Sequence, residues 1–161
     1  MRMPRPSRDE TFMEVAVAMA RQSTCLRRAV GCVLVDGRGR VLSTGYNGVA
    51  RGQPHCNERT GGIAYAHACP GAFEKGGDLV LCAAVHAEQN ALLQCPDPDA
   101  IRTIYVTLSP CDSCLKLMLN TGCERLVVGE WWRDSEALII KRWAPRTVDS
   151  LYMPSMVHLR A

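Results

Sequence analysis

Two short segments, each placed directly before a predicted helix, constrain this chain more than any other feature. They are His86-Ala-Glu88 and Pro110-Cys-Asp-Ser-Cys114. Because Cys111 and Cys114 are three residues apart, both sulfurs can project from the same face and end of one helix. Two thiolates and one imidazole make three ligands and leave the fourth tetrahedral position open, which is typical of a catalytic zinc ion. The chain is therefore expected to bring two helix N-termini together around one metal.

The composition excludes several classes of protein. Of 161 residues, 47% are apolar and 22% are charged, which is typical of a soluble globular protein and predicts a single domain over residues 1–161. No apolar run approaches the roughly 18 residues of a membrane helix, so we expect no membrane partner. The net charge is only +3 and the basic residues are spread along the chain, so the composition does not favour a nucleic-acid partner.

The N-terminus and the cysteines together predict a cytoplasmic protein. Acidic residues interrupt the basic and apolar segment at the start of the chain, and its apolar run is too short for a secretion signal. The nine cysteines are an odd number, which argues against a disulfide framework and suggests metal binding. We interpret Cys32, Cys95 and Cys123 as small buried hydrophobic residues.

Apolar spacing and turn residues predict elements in the order α-β-β-α-β-α-β-α. A capping box, Ser7-x-x-Glu10, opens the first helix, and the turn 36–40 joins the first two strands in a hairpin. The predicted helices cover about 7–20, 86–93, 111–120 and 134–142, and the predicted strands 29–35, 41–46, 102–108 and 125–128. Residues 47–78 and the tail after Pro145 carry no clear pattern. This order predicts a three-layer α/β domain with a mixed sheet.

The two constraining segments also match a chemical signature. The first segment reads H-x-E and the second reads P-C-x-x-C, and each comes just before a predicted helix. These two motifs in this order are the signature of zinc-dependent nucleobase and nucleotide deaminases. Glu88 would not bind the metal; it would take a proton from the attacking water, protonate the ring nitrogen and help ammonia leave. We assume that the first helical turn directs both His86 and Glu88 to the metal. The alternative, a redox C-x-x-C motif, gives neither His86 nor Glu88 a role.

Four segments resemble the deoxycytidylate (dCMP) deaminases: residues 23–31, Gly45-Tyr-Asn-Gly48, residues 86–91 and residues 105–114. The resemblance implies a five-stranded sheet between helices, in a three-layer cytidine-deaminase-like fold, with zinc between two helix N-termini. It implies hydrolysis of dCMP to dUMP and ammonia, which supplies dUMP for thymidylate synthesis. It also implies a homo-oligomer, a hexamer by family likeness.

The same resemblance suggests residues that bind the substrate. Asn47 matches the residue that contacts the sugar and base, and Trp132 matches an aromatic residue that lies against the substrate. Arg27 and Arg28 are candidates for the nucleotide phosphate, since a guanidinium group can bind it through two hydrogen bonds. Alternatively, Asn47 is an ordinary turn residue and Trp132 an aromatic residue that only packs. The alternative for Arg27 and Arg28 is a pair of solvated surface charges. In allosteric relatives the loop after Gly48 takes part in binding dCTP or dTTP with Mg²⁺, and here its sequence departs from the usual one.

A second, structural zinc ion is predicted near the long irregular segment. Its expected ligands are Cys25, Cys56, Cys69 and Cys82, with His55 and His67 as substitutes, chiefly for Cys69. By the resemblance, Cys25 and Cys56 match the sequence positions of zinc ligands in bacterial and phage relatives. A closed thiolate site would tie the segment to the end of the first helix. The alternative is a set of buried thiols.

Two classes of function compete with dCMP deamination. The first is deamination of a related substrate: dCTP, a 5-modified dCMP, cytidine or another nucleoside or base, or adenosine in tRNA. The second is a non-catalytic zinc-binding interaction module. The intact Glu88 argues against such a module, because a purely structural zinc ion does not need it.

Overall fold

A computed structural model describes residues 4–56 and 82–159 of the chain. The helices are α1 (Arg8–Ala20), α2 (Ala87–Leu93), α3 (Asp112–Leu119) and α4 (Ser135–Trp143). The strands are β1 (Gly31–Asp36), β2 (Val41–Tyr46), β3 (Gly48–Val49), β4 (Ala84–Val85), β5 (Ile101–Leu108), β6 (Arg125–Glu130) and β7 (Thr147–Ser150). Short 3-10 helices cover Pro98–Ala100 and Pro154–Leu159. In the described parts of the chain, no helix is long and apolar enough to cross a membrane.

The central sheet has five strands in the order β2-β1-β5-β6-β7. β1 pairs antiparallel with both β2 and β5, whereas β5, β6 and β7 run parallel to one another. The predicted mixed sheet of about five strands is therefore confirmed. The parallel pairing brings the carboxyl ends of β5 and β6 to one edge, where binding sites of α/β sheets usually form.

Alternating side chains of β1 divide the interior into two apolar layers. Cys32 and Leu34 pack with α2, α3 and α4 on one face, and Val33 and Val35 pack with α1 and the last 3-10 helix on the other. Every residue of β1 is buried, which explains its continuous apolar run. The three-layer prediction is confirmed, and so is the burial of Cys32 and Cys123, whereas Cys95 is only partly buried against the first of these layers.

Local contacts fix the direction of the helix that carries His86. A Cβ atom at Gly45 would collide with the backbone of α2 at Ala87 and Ala91, so glycine lets this helix lie directly on β2. The Ser43 hydroxyl donates to the carbonyl of Ala91 at 2.7 Å, and the Asn90 amide donates to the carbonyl of Tyr46 at 2.8 Å. These contacts hold the N-terminus of α2 at the sheet edge.

Candidate metal centre and nucleotide site

The residues at the two helix starts occupy equivalent positions. His86 is the N-cap of α2 and Cys111 is the N-cap of α3, and both have extended backbone angles. The backbone N–H of His86 donates to the Gln89 side chain at 3.0 Å, which steadies the first turn of α2. Sequence reasoning missed Gln89, although its position three residues after the N-cap is a recognisable signal.

The side chains of His86, Cys111 and Cys114, which we call the three-ligand cluster, converge within 4.8 Å of one another. The Nδ1 atom of His86 lies 3.5 Å from the Cys111 sulfur and 3.4 Å from the Cys114 sulfur. With Zn–N of about 2.0–2.1 Å and Zn–S of about 2.3 Å, a tetrahedral zinc ion separates such ligand atoms by about 3.5 Å. The donor set therefore fits zinc in both chemistry and spacing.

The cluster stabilises a negative charge on sulfur. Hydrogen bonds with the Cys114 thiol and the His86 ring lower the pKa of the Cys111 thiol to about 3. The hydrogen bond to Cys111 raises the pKa of His86, and the same partner, together with burial, raises the pKa of the Cys114 thiol. Thiolate is the form in which cysteine binds zinc, so the geometry already favours the ligand state of Cys111, whereas His86 and Cys114 would release protons when the metal binds.

Glu88 lies in the first turn of α2 with only 4% of its surface exposed. Burial raises the pKa of its carboxyl group to about 7, and the same group shares a hydrogen bond with Cys114. His86 and Glu88 therefore share Cys114 as a partner, and the prediction that the first turn of α2 directs both side chains to a metal stays a prediction. A buried acid with this pKa can both hold and release a proton near neutral pH.

Arg28 and Trp132 meet beside the carboxyl ends of β5 and β6. The guanidinium carbon of Arg28 lies 4.3 Å from the centre of the Trp132 ring, and its Nη1 atom is 3.7 Å from the Glu130 carboxylate. Arg27 differs, because its Nη1 atom is buried and has no hydrogen-bond partner. The structure thus brings Arg28 and Trp132 together, while their contacts with a substrate, and those of Arg27, stay predictions.

Asn47 is engaged with the backbone of the segment that leads into β1. Its Oδ1 atom accepts from the N–H of Val30 and its Nδ2 atom donates to the carbonyl of Arg28, both at 2.8 Å. The side chain is 8% exposed. It therefore fixes the position of Arg28, and the predicted contact with the sugar and base stays a prediction.

Ser109, which the sequence analysis did not single out, joins two loops at the sheet edge. Its hydroxyl accepts a hydrogen bond from the backbone N–H of Trp132 at 2.8 Å and lies 3.0 Å from the Ser135 hydroxyl. A serine before proline carries no periodic signal, so pattern reasoning had no means to find it.

The predicted second zinc site falls mostly at the boundary of the described residues. Its expected ligands are Cys25, Cys56, Cys69 and Cys82, with His55 and His67 as substitutes. Cys69 and His67 lie outside the described residues. Within residues 4–56 and 82–159, only the three-ligand cluster gathers three potential metal ligands, so Cys25, Cys56 and Cys82 do not form such a group by themselves. The second zinc ion stays a prediction.

Comparisons with known proteins agree with this geometry. The family model for the cytidine and deoxycytidylate deaminase zinc-binding region matches residues 6–130, which include both constraining segments. The deoxycytidylate deaminase of Mycobacterium phage D29 is 44% identical over 126 residues, which are 78% of this chain and 96% of the phage protein. The deoxycytidylate deaminase of Schizosaccharomyces pombe is 42% identical over 127 residues, 76% of this chain but only 37% of the yeast protein.

A solved structure supports the fold. The dCMP deaminase of the cyanophage S-TIM5, in complex with dCMP and dUMP, superposes with a TM-score of 0.69 at 23% identity, covering 92% of this chain and all of the cyanophage chain. At that identity the likeness concerns the architecture alone. The family model and the phage D29 relative, however, cover most of the sequence and contain the segments that build the three-ligand cluster. The chain therefore belongs to the cytidine and deoxycytidylate deaminase family.

Proposed function

We propose that this chain hydrolyses dCMP to dUMP and ammonia and so supplies dUMP for thymidylate synthesis. The observation that carries the proposal is the convergence of the three-ligand cluster on the buried carboxyl group of Glu88. In a structural zinc site, four protein ligands complete the coordination, and a buried acid beside the metal has no chemical role. Three ligands beside a proton-transfer group instead favour hydrolytic chemistry over a non-catalytic interaction module.

His86, Cys111 and Cys114 would hold a zinc ion at the point where α2 and α3 begin. When bound, Zn²⁺ lowers the pKa of water in its open coordination position and so supplies a nucleophile near neutral pH. The helix N-termini favour negative charge on the two sulfurs, since the helix dipole is positive at that end. His86 and Cys111 are exposed in the structure, which suits a site that a small molecule must enter.

Glu88 carries the protons in this proposal. Its carboxyl group takes a proton from the attacking water and delivers it to the ring nitrogen beside the amino-bearing carbon. It then takes the proton of the hydroxyl group newly attached to that carbon and passes it to the amino group, so that the carbon–nitrogen bond breaks and ammonia leaves as the ring carbonyl forms. One water is consumed for each ammonia released, and a pKa of about 7 allows the carboxyl group to accept and donate in turn.

The assignment to dCMP is supported by the relatives and by the groups beside the carboxyl ends of β5 and β6. The phage D29 and yeast relatives are both deoxycytidylate deaminases. Trp132 offers a flat apolar surface and Arg28 a cation in contact with it, which suits a base and a phosphate on one ligand. We assign the phosphate to Arg28 and Arg27, and the sugar and base to Asn47 and Trp132.

Several finer features belong to the same proposal. We propose that residues 1–161 act as one domain, that the protein is a cytoplasmic homo-oligomer, and that Cys25, Cys56, Cys69 and Cys82 hold a second zinc ion. Regulation by dCTP or dTTP with Mg²⁺ is a prediction for the loop after Gly48. Adding each triphosphate with Mg²⁺ to an assay at low dCMP concentration tests it, because an activator would lower KM and an inhibitor would raise it.

A substrate panel with zinc quantitation tests the proposed function. Ammonia release is measured from dCMP, dCTP, 5-methyl-dCMP, deoxycytidine, cytidine and a tRNA substrate, on protein whose zinc content is known. We expect the highest kcat/KM with dCMP. Equal or better turnover of a nucleoside, of dCTP or of tRNA would replace the proposal with the corresponding deaminase. Absence of turnover on every substrate by zinc-loaded protein would favour the interaction module.

A further inference from the structure

We propose that Ser109 is a positioning residue that holds Trp132 in place for nucleotide binding. The inference rests on the proposed function, because it assigns Trp132 to the substrate site. Ser109 lies between β5 and the start of α3, two residues before Cys111. Trp132 lies two residues after the end of β6. One hydroxyl group thus links the loop that carries a metal ligand to the loop that carries the aromatic surface.

The hydrogen bonds of Ser109 define this link. Its hydroxyl oxygen accepts the backbone N–H of Trp132 at 2.8 Å and is 3.0 Å from the Ser135 hydroxyl. Its own backbone N–H donates to the carbonyl of Glu130 at 2.8 Å. Ser109 is 8% exposed, so water cannot readily replace the hydroxyl as a partner for Trp132.

The loop around Trp132 needs such a partner. Arg133 has a φ of 49°, in the left-handed region that side-chain-bearing residues adopt only when their surroundings impose it. The backbone N–H of Ser135 donates to the carbonyl of Trp132 at a long 3.3 Å. The hydrogen bond to the Ser109 hydroxyl is therefore the shortest one that the structure gives to the Trp132 backbone.

Trp132 also provides the surface on which the guanidinium group of Arg28 lies. Arg28 stacks on the Trp132 ring at 4.3 Å and pairs with Glu130 at 3.7 Å. Because β5 and β6 are parallel neighbours with Leu108 opposite Glu130, the segments after them run side by side. Loosening Trp132 would move the aromatic surface relative to the Arg28 guanidinium, and would leave the three-ligand cluster in place.

Ser109→Ala tests the inference, and Ser150→Ala is its matched control. Ser150 accepts the indole N–H of Trp131 at 2.8 Å, so the control also removes a serine hydroxyl acceptor, but from the side chain of the neighbouring residue and not from the backbone of Trp132. We expect Ser109→Ala to raise KM for dCMP about 3- to 10-fold, with kcat within about twofold of the wild type and zinc content unchanged. Ser150→Ala should leave KM unchanged.

Two further measurements separate positioning from a general structural effect. Hydrogen exchange of the Trp132 amide should be about 3- to 10-fold faster in Ser109→Ala and unchanged in Ser150→Ala. In a Trp132→Ala background, Ser109→Ala should raise KM no further, because the aromatic side chain through which Ser109 acts is absent. A Ser135→Ala variant, which removes only the contact between the two hydroxyl groups, should resemble the wild type in KM.

Unchanged exchange at Trp132 would overturn the inference, as would an unchanged KM. An equal rise of KM in the presence and absence of the Trp132 side chain would also overturn it, because Ser109 would then act by another route. If zinc-loaded wild-type protein failed to deaminate dCMP, the proposed function would fall. The exchange rate of the Trp132 amide would still decide whether Ser109 holds this residue.

Discussion

Two carboxylates on opposite faces of the sheet differ in how their charges are compensated. Asp9 of α1 receives two hydrogen bonds of 2.8 Å from the Arg125 guanidinium and one of 2.6 Å from the Tyr105 hydroxyl. Arg125 is also bound to Asp149 at 2.6 Å, which joins α1 to the edge of the sheet. Glu88 has no such cationic partner among the hydrogen bonds and ion pairs of the described residues.

The pKa values of the two groups move in opposite directions for that reason. The hydrogen bonds with Arg125 lower the pKa of Asp9, whereas burial raises the pKa of Glu88 to about 7. A carboxylate that is bound to a guanidinium group adds stability to the fold. A buried carboxyl group without a cationic partner lowers the stability, but its raised pKa lets it exchange a proton near neutral pH. The comparison predicts that the Asp9 network serves folding and that Glu88 serves chemistry.

The largest expected effect comes from Glu88→Gln. The amide keeps the size of the side chain but cannot take up or release the proton, so kcat/KM for dCMP should fall by about 10⁴-fold or more. That loss lies at or above the top of the range of about 10²–10⁴-fold for one acid–base group, because this residue makes several transfers. Ammonia release and elemental zinc analysis check it. Near-wild-type turnover, or loss of the catalytic zinc, would contradict the assigned role.

Cys111→Ser should remove the catalytic zinc ion and with it nearly all activity. A hydroxyl group is a poor replacement for a thiolate as a zinc ligand. Zinc per chain should fall by about one ion, and Cys95→Ser, at a cysteine predicted not to bind metal, should leave the content unchanged. Full zinc content in the Cys111 variant would remove this residue from the ligand set.

Arg28→Ala should erase most of the preference for dCMP over deoxycytidine. A charge-assisted hydrogen bond contributes about 1.5–3 kcal/mol, which corresponds to about 10–150-fold in kcat/KM. Arg133→Ala is the control, because Arg133 also lies over the Trp132 ring, at 5.3 Å, but is exposed. A preference that survives substitution of both Arg28 and Arg27 would place the phosphate elsewhere and leave the reaction unaffected.

Asp9→Asn should lower the free energy of unfolding by about 1–2 kcal/mol without changing kcat/KM. Hydrogen bonds to charged groups contribute about 1.5–3 kcal/mol, and we reduce that value because both side chains are about one-third exposed. Since the folded-state pKa of Asp9 is lowered, the contribution is present above its unfolded pKa and is lost as the pH falls through the folded pKa. Urea unfolding at pH 7 and at pH 3 should therefore show a smaller difference from the wild type at the lower pH. An equal difference at both would contradict the ion-pair explanation.

Cys56→Ser should chiefly lower thermal stability and the zinc content, with a small effect on turnover. Cys95→Ser serves again as the control, because it changes a cysteine to serine outside the predicted site. A single zinc ion per wild-type chain, together with unchanged melting of the Cys56 variant, would remove the second zinc site from the account.

Most of the fold could be predicted from the sequence because its elements carry strong local signals. The capping box at Ser7 starts α1 as predicted, and the apolar runs of β1 and β5 identify buried strands within one or two residues of their ends. β7 was not predicted, because Thr147–Ser150 contains one apolar residue and lies at the sheet edge. Its place depends on pairing with β6, which no local pattern encodes.

The candidate site could be predicted only where residue types imply chemistry. His86, Cys111 and Cys114 are recognisable as ligands from their identity and spacing, and the structure brings them together. Ser109 acts through a bond to the backbone of a residue far along the chain, and a sequence pattern does not record such partners. Asn47 shows the same limit, since the two backbone groups that its amide binds were not foreseeable.

The most direct test of the contrast between the two carboxylates is the free energy of unfolding of Glu88→Gln, measured in urea at pH 7 beside Asp9→Asn. The account predicts that Glu88→Gln is at least as stable as the wild type, because the amide keeps the size of the side chain and removes a buried ionisable group to which no Arg or Lys side chain of the described residues is bound. Asp9→Asn should be less stable in the same experiment. A loss of more than about 1 kcal/mol in Glu88→Gln, comparable to the effect of breaking an ion pair, would contradict the claim that Glu88 is retained for chemistry rather than for stability.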